Sequence, residues 1–520
     1  MMKKNKLFTV RVALIVALGG FLMGFDASVI SGVVKFIEPQ FDLTKIQLGW
    51  SVSSLTLMAT IAMLVVGPIS DRIGRRTVLR YAAILFTVTG IGCALAPNFA
   101  LLVIARMIGG MGVGASLIIA PVFIAEISPP RIRGRLVSFN QLNIVLGISV
   151  AFFTNYLILK LGSSGASWIE TLGLDRFNWR WMLGLETLPA VIYFIALFFV
   201  PRSPRWLMMK GNTDEALSIL KRANDEDAAL VEFENIRQSL ESGTKKKVSL
   251  AELFKPALRL VLVIGLIVAV LQQITGINSV FFYAPMIFEQ SGIGTDAAFS
   301  QAILVGLTNL VFTVVAILVI DRLGRKALLG IGLSGIAVFM FLLAAGFNSA
   351  TYKLTESAIN QLPEQVPREV LRTIQDHEFS SDIKYKQKLS EILDPSLVKE
   401  YESEFIAGAI HNNPLLILIG ILGFVAAFAV SLGPVMWVLF SELFPNWIRG
   451  LAISFVGFIN SLVSFSVQLV FPWELASIGT AGTFLIYGIF GAVGIVFVLI
   501  LVPETKGKSL EELEKLLVKK

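Results

Sequence analysis

The chain has few of the residues that support disulfide-stabilised, metal-binding or soluble folds. It contains one cysteine and two histidines in 520 residues, and charged residues make up only 16% of it. A single cysteine excludes an internal disulfide, and soluble domains carry about 25% charged residues. No G-x-x-x-x-G-K-[ST] loop occurs, and no strand precedes the glycine-rich stretch at 109–114, so nucleotide-driven chemistry has no support. The small residues of that stretch instead favour close packing between helices.

Hydrophobic sequence is what the chain has in excess: it makes up 55% of the residues and includes 38 phenylalanines. Runs of about 20 apolar residues recur, the length at which a helix crosses roughly 30 Å of hydrocarbon. No small-residue cleavage site follows the basic N-terminus, so we interpret the first run as a retained helix. The sequence therefore predicts an all-α polytopic membrane protein. Its twelve predicted spans are 10–33, 47–69, 78–97, 100–125, 136–160, 181–201, 258–288, 298–320, 327–347, 413–440, 450–472 and 480–502.

Lysine and arginine are unevenly distributed between the two sides of the predicted membrane. With the N-terminus inside, 31 of the 44 lie on the side of the termini and 12 on the opposite side. Because cytoplasmic loops carry such an excess, both termini are predicted to be cytoplasmic. The net charge of +7 follows from this topology and indicates no nucleic-acid partner.

Two charged motifs each occur twice in the chain. DRIGRR at 71–76 is repeated as DRLGRK at 321–326, and EISPPRIRG at 126–134 as ELFPNWIRG at 442–450. Each motif joins equivalent spans, which predicts two homologous six-helix halves, an arrangement found in one large transporter class. The motifs start 55 residues apart in the first half and 121 apart in the second, and the excess of 66 matches the polar segment 348–412.

The repeat sets the predicted domain boundaries. An N-terminal six-helix half covers 1–201, cytoplasmic linker helices 202–257, a C-terminal half 258–503 with an extracytoplasmic insertion at 348–412, and a cytoplasmic tail 504–520. The insertion holds both histidines, His377 and His411. Nothing else in it has metal-ligand spacing, so we interpret them as solvated residues of a cap and expect no metal. Its amphipathic stretches predict a small ordered structure.

Four further motifs stand within predicted spans or at their ends: PRSPRWL at 201–207, QQITGIN at 272–278 followed by FFYAP, GPVMWVLFSELFPNWIRG at 433–450, and PETKGKSLEE at 503–512. With this ordered set the chain resembles the sugar porter family of the major facilitator superfamily, along almost its whole length outside 348–412. It is most similar to bacterial proton-coupled symporters of the xylose type. The resemblance implies monosaccharide import by proton symport through alternating access in a bacterial inner membrane. We expect no cofactor and a functional monomer.

Polar and aromatic side chains inside the spans are candidates for binding a sugar. A neutral sugar has hydroxyls that donate and accept hydrogen bonds, and amide side chains offer both functions in a dry site. From the residues alone, hydrogen bonding between helices is an equal alternative. The resemblance assigns sugar binding to Gln141, Gln272, Gln273, Asn278, Asn309, Trp437 and Asn460, with Tyr283 as a nearby aromatic.

Three positions depart from the pattern of the family. Ile148 replaces a second span-five glutamine, and Ser461 stands where many members have Trp, so the choice between hexose and pentose stays open. Arg202 replaces the usual Glu of the PRSPR motif.

Three ionisable side chains lie well inside predicted spans: Asp26, Arg106 and Glu186. Counting from the span ends at 1.5 Å per residue places all three about 8–10 Å below the same surface. Buried ionisable residues in membranes are functional candidates. Burial favours the neutral carboxyl, whereas a nearby Arg favours the ionised one. We therefore predict that Asp26 exchanges a proton as Arg106 approaches and leaves.

The family resemblance supports that role for Asp26, because an Asp occupies this position in proton-coupled members and a neutral residue usually does in uniporters. Arg106 and Glu186 match its partners in the symporter type. The alternative is a static Asp26–Arg106 pair that fixes helix packing in a facilitative uniporter. A second alternative is a sugar sensor that binds without translocating, which long signalling tails would favour. No catalytic grouping supports an enzyme.

The repeated motifs place charged residues symmetrically on the cytoplasmic side. One interpretation is that these residues are solvated loop charges, since exposed ion pairs contribute little to stability. Their repetition and the family resemblance favour a cytoplasmic gate, closed by salt bridges between the halves. The residues concerned are Asp71, Arg75, Glu126, Arg133, Asp321, Arg325, Glu442 and Arg449.

Overall fold

The computed structural model describes residues 2–130, 132–241, 249–445, 447–508 and 510–517, and these residues are nearly all helical. Within the described residues, nine long helices are continuous: Met2–Val29, Lys45–Ile73, Arg75–Leu95, Phe99–Ile127, Arg133–Gly162, Thr295–Leu323, Arg325–Asn348, Arg449–Ser477 and Thr480–Leu501. Three more occur as broken pairs: Asn178–Gly184 with Thr187–Ala196, Arg259–Ile274 with Ile277–Glu289, and Pro414–Val430 with Leu432–Leu443.

The remaining elements are short. The α-helices are Val34–Gln40, Ser167–Leu172, Pro204–Met209, Thr213–Ala223, Glu226–Glu241, Glu356–Gln361, Arg368–Leu371, Asp382–Ile392, Pro395–Glu400, Glu402–Ala409 and Leu510–Leu517. The 3₁₀-helices are Ile30–Gly32, Leu250–Phe254, Pro256–Leu258 and Arg372–Ile374, and the strands are Thr351–Lys353, Glu378–Phe379 and Ile410–His411.

Eleven helical stretches of the described chain are long and apolar enough to cross a membrane. They correspond to eleven of the twelve predicted spans. The sixth predicted span, 181–201, is present as two short helices, Asn178–Gly184 and Thr187–Ala196, with a break at Leu185 and Glu186. Pro189 explains the break, since it has no N–H for the carbonyl of Leu185 and its ring crowds that carbonyl. The N–H of Leu188 bonds to it instead, at 3.2 Å.

The seventh and tenth spans are also interrupted, and each break has a local cause. In the seventh, Gly276 adopts φ +88°, a left-handed conformation that glycine tolerates best. In the tenth, Ser431 lies at φ −119° and ψ −95°, three residues before Pro434, which cannot donate to Val430. These breaks leave main-chain groups near the centre of the spans open to side-chain partners.

The chain divides into two compact units. Unit one comprises 1–29, 54–151 and 180–248, and unit two comprises 30–53, 152–179 and 249–520. Within unit one the glycine-rich stretch allows close helix packing, as predicted. A Cβ at Gly110 would lie 2.3 Å from the carbonyl oxygen of Leu55, so a larger residue there would force the two helices apart.

Unit two includes the insertion, which forms an ordered cap as predicted. Its helical stretches lie near the expected positions, but its three short strands were not predicted. They form an antiparallel sheet in which Thr351–Lys353 is central, with Tyr352 opposite Phe379 on one side and Ile410 on the other. The cap has its own hydrophobic core, where the buried Tyr385 donates to the carbonyl of Phe405 at 3.1 Å.

Ion pairs attach the cap to neighbouring helices of unit two. The Glu402 carboxylate lies 2.7 Å from the Lys386 ammonium and 3.7 Å from that of Lys45, which also pairs with Glu38 at 2.5 Å. Burial disfavours ionised Glu402, but the two lysine charges and hydrogen bonds from Lys386 and Gln290 outweigh it. Together they hold the pKa of Glu402 well below its usual range.

Candidate functional site

Two of the three predicted intramembrane charges form a buried ion pair in unit one. Arg106 Nη1 donates to Asp26 Oδ1 at 3.0 Å and to the Asp26 carbonyl at 3.1 Å. The two side chains are 1% and 0% exposed. Asp26 Oδ2 accepts no hydrogen bond from the described residues. A Cβ at Gly109 would lie 2.6 Å from this oxygen, so the glycine leaves the space that the carboxylate occupies.

Glu186, the third predicted charge, lies at the break in the sixth span. It is fully buried, and within the described part of the chain neither carboxylate oxygen accepts a hydrogen bond. It interacts electrostatically with both Asp26 and Arg106, so the three side chains form one cluster, as depth counting predicted. A buried carboxylate without donors is costly when ionised. The cluster thus joins one cation to two carboxyl groups.

Four of the predicted sugar-binding amides meet in unit two. Asn460 Nδ2 donates to Gln272 Oε1 at 2.8 Å, and Gln273 Nε2 donates to Asn460 Oδ1 at 3.2 Å. Asn278 Nδ2 donates to Gln273 Oε1 at 2.8 Å and to Ser464 Oγ at 2.7 Å. We call these five side chains the amide network. It lies beside the break in the seventh span, since Gly276 separates Gln273 from Asn278.

Residues that sequence reasoning missed extend the network along the eleventh span. Gln468 Nε2 donates to Ser464 Oγ at 2.8 Å, and the backbone carbonyl of Gln468 accepts from Tyr283 Oη at 3.0 Å. The ring of Tyr283 packs on Phe471 with centroids 5.1 Å apart. Asn460, Ser464 and Gln468 are spaced by four residues, which places them on one helix face. That spacing is a signal from which Ser464 and Gln468 could have been predicted.

The other predicted sugar-binding residues are placed differently. Asn309 is buried, whereas Trp437 is 47% exposed and packs edge-on against Phe440, with centroids 5.9 Å apart. Among the described contacts, neither hydrogen-bonds to the amide network. Gln141 belongs to unit one, where it is exposed.

The charges of the first repeated motif pair within unit one. Arg75 Nη1 lies 2.7 Å from Asp71 Oδ1, and Arg75 Nε lies 3.2 Å from Glu126 Oε2. Arg133 pairs with Glu232 of the linker, at 2.9 Å.

The second copy of the motif has a similar arrangement in unit two. Arg325 Nη2 lies 2.9 Å from Glu442 Oε1, and Arg449 Nε donates to the Phe444 carbonyl at 3.0 Å. The side chain of Asp321 lies outside the described residues. The gating role of these charges stays a prediction.

Comparison with known proteins places the chain in a family. The profile of the family described as sugar (and other) transporter matches residues 12–361 and 404–517, with the gap inside the cap. The arabinose-proton symporter of Bacillus subtilis (strain 168) is 35% identical over 512 residues, covering 98% of this chain and 96% of the relative. The D-xylose-proton symporter of Escherichia coli (strain K12) is 35% identical over 544 residues, with the same coverage.

A solved structure gives the same result for the fold. The inward open conformation of the xylose transporter XylE from E. coli matches with a TM-score of 0.73 and 32% identity, covering 97% of this chain and 99% of that one. Sequence and structure agree that the chain is a polytopic transporter of the major facilitator fold, with two homologous six-helix halves, rather than an enzyme. The chain belongs to the sugar (and other) transporter family.

Proposed function

We propose that the protein imports a monosaccharide together with a proton by alternating access. Similar proteins carry the names arabinose-proton and D-xylose-proton symporter, and both come from bacteria. The excess of Lys and Arg on the side of the termini supports a bacterial inner-membrane protein with both termini in the cytoplasm. We further propose that it acts as a monomer, with halves at 1–201 and 258–503, linker helices at 202–257, the insertion at 348–412 outside, and a tail at 504–520.

The observation that carries the proton coupling is the buried cluster of Asp26, Arg106 and Glu186. Arg106 satisfies one oxygen of Asp26 and leaves the other without a donor among the described residues. A buried ion pair is strongly destabilised when one partner is removed, because the remaining charge stays uncompensated. Movement of Arg106 away from Asp26 therefore drives protonation of the carboxylate, and its return drives release.

The amide network is the proposed sugar site. Its side chains already satisfy one another by hydrogen bonds of 2.7–3.2 Å. A sugar hydroxyl both donates and accepts, so it can replace such a bond without leaving a buried polar group unpaired. An unpaired buried polar group costs about 1–3 kcal/mol. Replacing a hydrogen bond within the network by one to the sugar therefore costs less than breaking it without a new partner. Gln141, Asn309, Trp437 and Tyr283 are proposed to complete the pocket.

The gate is proposed to be formed by the charged residues of the repeated motifs. Arg75 and Arg325 are each held by carboxylates of their own unit, Glu126 and Glu442. Such networks can exchange partners when the halves rearrange, and we propose that pairs between the halves close the cytoplasmic side. The same role is proposed for Asp71, Arg133, Asp321 and Arg449.

Uphill accumulation in proteoliposomes tests the proposal. Asp26→Asn should abolish sugar accumulation driven by an inward proton gradient, yet retain exchange of labelled for unlabelled sugar. The matched control is Asp227→Asn, at an exposed position of the linker, which should behave as wild type. Unchanged accumulation by Asp26→Asn would refute the coupling role. A wild-type protein that equilibrates sugar without accumulating it would be a uniporter, and one that binds sugar without exchange would be a sensor.

A further inference from the structure

The ends of the sixth and twelfth spans carry equivalent residues. In the second half, Thr505 Oγ1 donates to Glu442 Oε2 at 2.6 Å. In the first half, Ser203 Oγ donates to Glu126 Oε2 at 2.5 Å. Glu442 and Glu126 begin the two copies of one repeated motif, so the matching hydrogen bonds make Ser203 the counterpart of Thr505 in the internal repeat. The residues that precede these two are therefore also equivalent.

The preceding residue is Glu504 in the second half and Arg202 in the first. Glu504 accepts the backbone N–H groups of Arg325 at 3.1 Å and Lys326 at 3.2 Å, at the start of the helix Arg325–Asn348. Burial opposes ionisation of Glu504, but these backbone donors and that of Lys506 lower its pKa. Arg202 cannot accept a hydrogen bond, so the first half lacks the negative charge that the second half has at this place.

The missing carboxylate leaves three arginines together. Arg76 lies within electrostatic range of both Arg80 and Arg202, and Arg80 within range of Arg202. The nearby carboxylate is that of Glu215, whose oxygen lies 3.5 Å from Arg202 Nη1, with both side chains almost half exposed. Exposed pairs of this kind contribute little. One weakly held carboxylate thus faces three positive charges.

Two of these arginines retain donor groups without an acceptor. Arg76 Nη1 donates to the Val200 carbonyl at 2.9 Å, and Arg80 Nη2 donates to the Leu197 carbonyl at 3.3 Å. These bonds hold the guanidinium groups at the end of the sixth span. The Nε atoms of both arginines are buried, and neither has a hydrogen-bond partner among the described residues.

Apolar side chains adjoin the arginines and remain exposed. Phe198 is 54% exposed, Phe199 74% and Tyr81 57%. The guanidinium carbon of Arg80 lies 4.0 Å from the centre of the Phe198 ring. In a membrane-spanning protein, exposed apolar residues beside a cluster of cations face the region where lipid headgroups meet acyl chains.

We propose that Arg76, Arg80 and Arg202 bind the phosphate headgroup of an anionic phospholipid, which supplies in the first half the negative charge that Glu504 supplies in the second. Guanidinium groups bind phosphate through charge-assisted, often bidentate hydrogen bonds. The acyl chains lie against Phe198, Phe199 and neighbouring apolar residues of the third and sixth spans. The bound lipid bridges the ends of these two spans.

Lipid binding to the purified full-length protein in detergent tests this site. Phosphatidylglycerol and phosphatidylcholine with identical acyl chains are titrated separately, and bound lipid is counted by native mass spectrometry. Arg202→Glu restores the carboxylate and should weaken phosphatidylglycerol binding at least tenfold. Lys210→Glu makes the same charge change at an exposed neighbouring position and should leave the affinity within twofold. Sugar binding by each variant confirms that it is folded.

Three outcomes would overturn the proposal. Equal affinity for phosphatidylglycerol and phosphatidylcholine would show that the headgroup charge is not recognised. An equal loss of affinity in both variants would show general attraction to a basic surface. Glycerophosphoglycerol, the headgroup without acyl chains, should bind at least tenfold more weakly than the lipid, and equal affinity would show a site for a free phosphate ester instead.

Discussion

Gly276 is the residue whose replacement should most disturb the proposed sugar site. Its φ of +88° is strained for any residue with a side chain, and an added Cβ would lie 2.3 Å from Tyr487 Cδ2. The tyrosine cannot easily move away. Its ring is buried, and its hydroxyl donates to Glu474 Oε2 at 2.8 Å. Gly276→Ala must therefore displace the backbone of the seventh span.

The magnitude follows from two separate costs. A left-handed conformation costs a non-glycine residue about 1–2 kcal/mol, and overpacking of a buried site costs about 1–3 kcal/mol. Together they predict destabilisation of about 2–5 kcal/mol. The residue lies between Gln273 and Asn278, whose side chains are 2.8 Å apart. Since a shift of about 1 Å breaks such a hydrogen bond, we also expect at least tenfold weaker sugar binding.

Two control variants separate these costs. Gly211 has φ +81° and no atom within 4 Å of an added Cβ, so Gly211→Ala should carry only the backbone cost. Gly330 is helical with equally open space, so Gly330→Ala should be neutral or slightly stabilising. Thermal unfolding in detergent and the sugar dissociation constant are measured for all three. If Gly276→Ala unfolds like Gly211→Ala and binds sugar normally, the reasoning from the clash is refuted.

Three further changes have defined outcomes. Gln272→Ala removes a hydrogen-bond partner of Asn460 and should raise the sugar dissociation constant, measured by equilibrium binding, at least tenfold. Gln238→Ala, at an exposed position, should leave it unchanged. Equal sugar affinity of the two variants would contradict the proposed pocket. The folded-state pKa of Glu402 lies below its unfolded value of about 4.3, so its contribution to stability is present above that pH and lost as pH falls. The thermal midpoint of wild type should thus decline more steeply below about pH 4.5 than that of Glu402→Gln, and parallel curves would argue against the ion-pair network. Glu186→Gln replaces a buried carboxyl whose oxygens accept no hydrogen bond from the described residues, so it should leave the thermal midpoint unchanged or higher. A fall of several degrees would show that the carboxyl makes a stabilising contact.

Hydrophobic length was enough to predict eleven spans, because a bilayer requires helices of about 20 apolar residues. Pro189 is a sequence signal for the break in the sixth span, but a prediction from the length of apolar runs takes no account of a single proline. The cap strands, only two or three residues long, form because the cap core brings them together. Such pairings depend on tertiary contacts and have no periodic signal of their own.

The site was predictable in part. Depth along each span placed Asp26, Arg106 and Glu186 at one level, and depth depends only on residue count. The pairing of Arg106 with Asp26 was also predicted. The absence of hydrogen-bond donors for Glu186 depends on helix rotation and required the structure. Similarly, the pairing of Arg133 with Glu232 joins segments far apart in sequence and had no signal there.

Sugar-driven proton movement tests the central claim most directly. Wild-type protein is reconstituted into weakly buffered proteoliposomes without a pH gradient, and D-xylose, L-arabinose or D-glucose is added outside while external pH and internal sugar are recorded. For a transported sugar, the external medium should become more alkaline in step with sugar entry, and Asp26→Asn should abolish the pH change. Sugar entry into wild-type vesicles without any pH change would contradict proton symport.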